Sequence, residues 1–212
     1  MTEPSGEPSK PKRPVVVPAL GLVALTALGI IALLGGLKEV PDTVPQLAKG
    51  AVLDQGRYKT QFLDAVYHVE QDLRFVDLTF KVTNQGQDTT LLGLPPTKWE
   101  SAFTGQNFAD SIVRITPAVK TRSGPLLFVT SKAGETRQLH PNVPATVTLR
   151  FKLDGQDPPP AKLTLDVAGF EYEPGFNDPT SHWSIISDEE DDKFFPEVKA
   201  QVTLPVTAKE SA

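Results

Sequence analysis

The stretch LRFVDLTFKVTN, Leu73 to Asn84, alternates apolar and polar residues along most of its length. A period of two is typical of a β-strand that has one face in a core and the other in water. The inward positions are Val76, Leu78, Phe80 and Val82, and the outward positions are Asp77, Thr79, Lys81 and Thr83. The turn-forming residues Asn84-Gln85-Gly86 end the run. The stretch therefore predicts a half-buried strand in a β-rich fold.

Three other stretches alternate in the same way: ATVTLRFKLD (145–154), AKLTLDVAGFEYE (161–173) and EVKAQVTLPV (197–206). The apolar phase shifts after Gly169, as a β-bulge would cause. Pro205 lacks an N–H for the ladder, which predicts an edge strand or a strand end. Weaker strand candidates are RYKTQFLDAVYHV (57–69), TTLLGL (89–94), SIVRITPAV (111–119) and LLFVTS (126–131). About eight short strands without a convincing soluble helix predict an antiparallel sandwich or barrel.

The longest apolar run is VVVPALGLVALTALGIIALLGGL, Val15 to Leu37, and it contains no charged residue. As a helix it would cover roughly 35 Å, enough to cross a hydrocarbon core of about 30 Å. Signal-peptide apolar regions are shorter and lead into an A-x-A-like cleavage site, which this run lacks. The sequence therefore predicts an uncleaved transmembrane helix over residues 15–37.

The flanks of this helix predict its orientation and the division of the chain. Lys10, Lys12 and Arg13 precede it, and positive charge favours the cytoplasmic side. We expect a disordered cytoplasmic tail at residues 1–14, a juxtamembrane linker at 38–50, an outer domain at 51–207 and a short tail at 208–212. The predicted location is the cell membrane, with one span, the N-terminus in the cytoplasm and the C-terminal domain outside.

Composition narrows the classes of function. The 212 residues are 39% hydrophobic and 22% charged, which is a globular composition. The formal net charge is −5, and the chain has no basic stripe of the kind that binds nucleic acid. The absence of cysteine excludes a disulfide scaffold.

Two segments together carry a resemblance to a known family: DLTFKVTNQGQDTTLL (77–92) and QLHPNVPATVTLRFKLDGQDPPPAKLTLDV (138–167). They pair a strand ending in V-T-N-x-G with a later L-x-P turn before an L-x-F strand. This order resembles membrane-anchored bacterial extracellular proteins with a telokin-like immunoglobulin-fold domain, and the resemblance covers most of Gly56 to Thr207. The resemblance implies an immunoglobulin-like β-sandwich that follows one N-terminal membrane helix. It implies no active-site residues. Pro141-Asn142 also suits a type II turn, because asparagine tolerates the left-handed region.

Motifs for chemistry are scarce. The chain has no G-x-S-x-G, H-E-x-x-H, C-x-x-C or glycine-rich phosphate loop, so we predict no catalytic residue, cofactor site or metal site. The histidines His68, His140 and His182 show no ligand spacing, and His68 is expected in solvent. The acidic run SDEEDD, Ser187 to Asp192, lacks the alternation of a calcium loop. It is either a solvated loop or a weak divalent-cation site.

The segment PPTKWESAFTGQNFAD, Pro95 to Asp110, shows no strand pattern but carries Trp99, Phe103 and Phe108. Aromatic anchors in polar loops are typical of recognition surfaces. These rings are therefore either a partner contact or a cap over one end of the sandwich. We expect a non-enzymatic, membrane-tethered interaction module whose partner is an envelope protein or a cell-wall polymer. The alternative is an envelope enzyme or a divalent-metal-dependent protein with an unrecognised site.

Overall fold

The computed structural model describes residues 43–121, 123–131, 134–155, 158–174, 180–190 and 192–209. Over these ranges the chain forms sixteen β-strands and two short 3₁₀ helices, Trp99–Thr104 and Phe108–Ser111. The prediction of an all-β fold is therefore confirmed. The strands are β1 (Gln46–Ala48), β2 (Val52–Asp54), β3 (Tyr58–Glu70), β4 (Leu73–Asn84), β5 (Thr90–Leu91), β6 (Ile112–Thr116), β7 (Leu126–Ser131), β8 (Gly134–Thr136), β9 (Gln138–Leu139), β10 (Ala145–Lys152), β11 (Lys162–Ala168), β12 (Phe170–Pro174), β13 (Ser181–Ile185), β14 (Ser187–Glu190), β15 (Lys193–Pro196) and β16 (Val198–Ala208).

Ten of these strands form one hydrogen-bonded sheet in the order β6-β11-β16-β3-β4-β10-β7-β8, with β1 beside β16 and β2 beside β3. Strand β16 joins the two halves of this sheet. Residues 198–205 pair with β11 in antiparallel fashion, and residues 206–208 pair with β3 in parallel. Leu165 and Val202 from one half share a buried cluster with Leu78 and Leu149 from the other. The two halves therefore enclose a common core, as the layers of a sandwich do.

Strand β4 has the character that its sequence predicts. Its four inward residues, Val76, Leu78, Phe80 and Val82, are fully buried. It pairs with β3 on one side and with β10 on the other, both antiparallel. Because it lies between two partners and buries four apolar side chains, β4 anchors the larger half of the sheet.

Strand β3 is longer and more central than its sequence suggests. It runs for 13 residues and shifts register against β4 between Phe62 and Asp64. Phe62 and Ala65 are both buried, so the inward face skips a residue at the shift. A bulge of this kind breaks the alternation from which a strand is recognised. The apolar pattern of β3 is therefore weak in sequence although the strand is well packed.

The prediction that Pro205 marks an edge strand is wrong, because β16 lies between β11 and β3. Pro205 stands opposite Lys162, at the last register position that β16 shares with β11. The alternative prediction, a strand end, is not met either, because β16 continues to Ala208. The proline lies where β16 leaves one half of the sheet and joins the other. The phase shift predicted near Gly169 is observed as a register shift between Val167 and Ala168.

The strand count exceeds the expected eight because connections also contain short strands. Between β11 and β16 the chain forms two hairpins, β12–β13 and β14–β15. The expected linker at residues 38–50 is also partly folded, since β1 pairs in parallel with β16. The folded unit therefore begins before residue 51, at Val44.

The predicted cytoplasmic tail at 1–14 and the predicted span at Val15–Leu37 lie outside the described residues. Among residues 43–209, apart from the gaps named above, no helix has the length and apolar character needed to cross a membrane.

Candidate functional site

Asn84 organises the turn that follows β4. Its Nδ2 donates to the backbone oxygens of Asp88 at 2.7 Å and Leu139 at 3.1 Å, while its Oδ1 accepts the Gly86 N–H at 2.9 Å. The Asn142 N–H donates to the Asn84 backbone oxygen at 2.8 Å. Asn142 has φ 57°, which confirms the predicted left-handed turn residue. The turn after β4 and the turn before β10 are therefore held against each other.

A cleft lies beside the turn that Asn84 fixes, and we name it the Arg57 cleft. Its volume is about 380 Å³, within the roughly 300–1,000 Å³ of small-molecule sites. It is lined by Arg57, Gln85, Gly86, Gln87, Asp88, Gln106, Tyr172, Ser181, His182 and Trp183. These residues come from four connections that meet at this place: the β2–β3 turn, the β4–β5 turn, the segment between the two 3₁₀ helices, and the β12–β13 hairpin.

The guanidinium of Arg57 is short of acceptors. Its Nη1 donates to the Gln106 backbone oxygen at 2.7 Å, and its Nε is buried without a hydrogen-bond partner. The same Gln106 oxygen also accepts from the Tyr58 hydroxyl at 3.3 Å. Within the described ranges, no carboxylate comes within ion-pair distance of Arg57. A partly buried positive charge without a counter-charge is costly, and it favours a ligand that brings acceptor atoms.

Tyr172 and Trp183 form the aromatic wall of the Arg57 cleft. They are a cross-strand pair of the β12–β13 hairpin, with ring centroids 5.2 Å apart at an angle of 49°. The Tyr172 side chain is 60% exposed. Two glycines border the indole: a Cβ built on Gly86 would lie 3.7 Å from Trp183 Nε1, and one built on Gly56 would lie 3.5 Å from Cζ3. The indole therefore lies against two turn glycines, where the absence of a side chain leaves room for the ring.

A second aromatic cluster joins the first 3₁₀ helix to the β14–β15 hairpin, and we name it the aromatic ridge. Trp99 stacks on Phe195 with centroids 5.2 Å apart, and Phe103 faces Phe194 at 6.0 Å. The exposed fractions of Phe103 and Phe194 are 37% and 49%. The Arg114 guanidinium carbon lies 5.9 Å from the Trp99 ring, within reach of a cation–π contact. The ridge therefore has a packed base, formed by Trp99 and Phe195, and an exposed crest.

The three aromatic residues singled out in the sequence are divided by the structure. Trp99 and Phe103 belong to the aromatic ridge, whereas Phe108 is 1% exposed. The Phe108 ring makes edge contacts with Tyr58 at 5.9 Å and Phe80 at 5.7 Å. Phe108 therefore lies in the core and contributes no surface to a partner.

Several residues of both clusters carry no distinctive signal in the sequence. Arg57 and Trp183 are far apart in the chain, and neither belongs to a motif. The one available signal is compositional: Trp183 stands in the polar segment SHWS, where an aromatic residue has no strand alternation to explain it. Applied to residues 180–185, the reasoning that singled out Trp99 would have found it.

The expectation that His68 is solvated is wrong. Its Nε2 lies 3.1 Å from Asp77 Oδ2, and its ring stacks on Phe75 at 5.4 Å. Arg150 also binds Asp77 through two hydrogen bonds, of 2.9 and 2.7 Å, and the bond to Asp77 raises the pKa of the guanidinium. His68 and Asp77 are diagonal neighbours on the same face of the paired strands β3 and β4, so the outward face of β3 carries a half-buried polar cluster.

The acidic run lies in an exposed hairpin. Asp188, Glu189 and Glu190 are exposed on β14, which pairs with β15, and Asp191 is outside the described residues. In the part of the chain that the structure describes, no group of three histidine, aspartate or glutamate side chains is placed to hold a metal ion.

Comparison with known proteins adds no assignment: neither a family model nor a curated protein matches this chain.

Proposed function

We propose that this protein is a single-pass membrane protein that presents an extracytoplasmic immunoglobulin-like binding domain. The domain is non-enzymatic, and its partner is another envelope protein or a cell-wall polymer. The N-terminus lies in the cytoplasm, and the helix over Val15–Leu37 tethers the domain.

The strand order supports the immunoglobulin-like assignment. Taken in chain order as strands A to G, the seven principal strands are β3, β4, β6, β7, β10, β11 and β16. One half of the sheet then reads A-B-E-D and the other reads C-F-G. This is the order of a constant-type immunoglobulin domain. The hairpins β12–β13 and β14–β15 are an expansion of the F–G connection, and the 3₁₀ helices belong to the B–C connection.

The aromatic ridge is the observation that carries the proposal of a binding module. It joins the B–C connection to the F–G connection, and in variable immunoglobulin domains these two connections lie at one end and bind ligand. Large rings supply contact area at a low cost in rotamer entropy, so aromatic residues dominate recognition surfaces. Phe103 and Phe194 expose their rings, while Trp99 and Phe195 hold the two connections together.

Recovery of a partner with the full-length protein tests the proposal. Envelopes would be dissolved in gentle detergent, and the protein bound to the tagged chain would be identified and quantified by mass spectrometry. The double variant Phe103→Ser, Phe194→Ser should lose the partner without a change in melting temperature. The double variant Val69→Ser, Leu126→Ser is the control, because it removes two other exposed apolar side chains. Equal recovery with both double variants would rule out the ridge as the contact surface.

A further inference from the structure

We propose that the Arg57 cleft binds a saccharide ring that carries a carboxylate, such as a hexuronate unit of an anionic glycan. This site is formed by different side chains from those of the aromatic ridge, and it goes beyond the proposed partner contact. Three features of the cleft carry the inference: a guanidinium with no carboxylate partner among the described residues, an exposed aromatic side chain, and side chains that both donate and accept hydrogen bonds.

The Arg57 guanidinium selects for an acidic group. Among the described residues it donates one hydrogen bond, to the Gln106 backbone oxygen at 2.7 Å, its Nε has no hydrogen-bond partner, and its remaining contact is with the Tyr58 ring at 5.7 Å. Guanidinium groups pair with carboxylates through short, charge-assisted hydrogen bonds. The backbone oxygen holds the side chain in place before a ligand arrives, so little ordering entropy would be lost on binding.

The aromatic wall selects for a flat ligand with C–H groups on its face. Tyr172 is 60% exposed although it stands in a hydrogen-bonded hairpin, and Trp183 backs it at 5.2 Å. The face of an aromatic ring is negative and attracts polarised C–H groups, which the face of a pyranose presents. Because Tyr172 lies in a hydrogen-bonded hairpin, its ring is already in place and loses little freedom when a ligand binds.

The remaining lining suits a polyhydroxylated ligand. Gln85 and Gln87 each offer an amide that donates and accepts, His182 offers a ring nitrogen, and the exposed Asp88 carboxylate accepts. Sugar hydroxyls are both donors and acceptors, so they match such a mixed set.

Two sugars that differ only in the acidic group test the inference: methyl glucuronide and methyl glucoside. Each would be titrated into the full-length protein in detergent micelles, with binding followed by ligand-observed NMR. We expect the glucuronide to bind about tenfold or more tightly than the glucoside, since a charge-assisted bond contributes at least that factor. Arg57→Gln should remove the difference between the two sugars. Tyr172→Ala should weaken binding of both, whereas Phe194→Ala, an exposed ring on the aromatic ridge, should change neither.

Three results would overturn the inference. The first is no detectable binding of the glucuronide to the wild-type protein, and the second is equal binding of the two sugars. The third is tighter binding of N-acetylaspartate than of the glucuronide, which would indicate a peptide-like ligand. Because Tyr172 is exposed, its variant tests the site even if Arg57→Gln fails to fold. Loss of sugar binding would leave partner recovery through the aromatic ridge unaffected, so the two proposals fail separately.

Discussion

The side-chain amide of Asn84 donates a hydrogen bond to the backbone oxygen of Leu139, 55 residues further along the chain, at 3.1 Å. Asn84 is fully buried at the end of β4, and Leu139 ends β9 shortly before β10. One side chain therefore links two turns that flank the same edge of the core. The V-T-N-x-G segment at the end of β4 and the L-x-P segment that begins at Leu139 are in direct contact through this bond.

Asn84→Asp should destabilise the domain by about 2–4 kcal/mol. The substitution keeps the shape of the side chain but replaces the Nδ2 donor by an oxygen that faces the carbonyls of Asp88 and Leu139. Urea unfolding of residues 43–212 measures the change. Gln87→Glu is the matched control, because it makes the same amide-to-acid change on the same turn in an exposed side chain, and it should cost less than about 0.5 kcal/mol. Similar losses in both variants would contradict a special role for Asn84.

The full-length protein should stay in the membrane fraction after a carbonate wash and should keep its N-terminus. The apolar run at residues 15–37 would be long enough to span as a helix, and its sequence is followed by no A-x-A-like cleavage motif. Residues 43–212 alone should be soluble and folded, with circular dichroism of β type. Recovery of a native soluble form that begins near Lys38 would contradict the anchor.

Phe108→Ala should cost about 3–5 kcal/mol of unfolding free energy, as truncation of a core aromatic residue does. Trp99→Ala should cost less, about 1–2 kcal/mol, because the indole is only half-buried and packs mainly on Phe195. Urea unfolding gives both values. Hydrogen exchange should show faster opening of β14–β15 in Trp99→Ala, because this ring holds the hairpin to the first 3₁₀ helix. An equal loss in both variants would place Trp99 in the core.

Gly56→Ala should cost at least about 3 kcal/mol, and Gly50→Ala about 1 kcal/mol. Both glycines have positive φ, 88° and 87°, so the backbone strain is matched between them. A Cβ on Gly50 meets no atom within 4 Å, whereas one on Gly56 would lie 2.2 Å from the Phe170 backbone oxygen. The difference in urea midpoint between the two variants isolates this clash. Equal midpoints would contradict the clash, because they would show that the backbone near Gly56 and Phe170 shifts without a loss of stability.

Stability should fall as the pH rises above about 10, the ordinary pKa of tyrosine. Burial raises the pKa of the Tyr58 hydroxyl, and its hydrogen bond with Thr90 opposes this only in part. The unfolded chain therefore releases the proton first, and ionisation favours unfolding between the unfolded and folded pKa values. Thermal unfolding from pH 8 to 11 measures the slope, which should be shallower in Tyr58→Phe. An unchanged slope in that variant would assign the effect to other groups.

Strands whose burial alternates regularly can be predicted from the amino-acid pattern alone. The period of two in β4, β10 and β16 is a local property, because each strand with one face in a core must alternate whatever its partners are. In β11 the burial alternates only as far as Leu165, because Asp166, Val167 and Ala168 are all buried. The left-handed conformation of Asn142 could also be predicted, since the turn depends on residues adjacent in the chain. A register shift, such as the one in β3, interrupts the alternation of apolar and polar residues although the strand remains well packed.

Which side chains meet depends on how distant segments pack, and the amino-acid pattern does not predict it. Phe108 and Phe103 stand five positions apart in one loop-forming segment, yet one enters the core and the other stays exposed, because different elements pack above them. Arg57 and Trp183 come together through the β12–β13 hairpin, and Trp99 meets Phe195 through β14–β15. The positions of these hairpins follow from the sheet order and from close packing between distant segments. Such contacts produce no periodic pattern in the sequence, so the clefts and surfaces they form exist only once the sheet has folded.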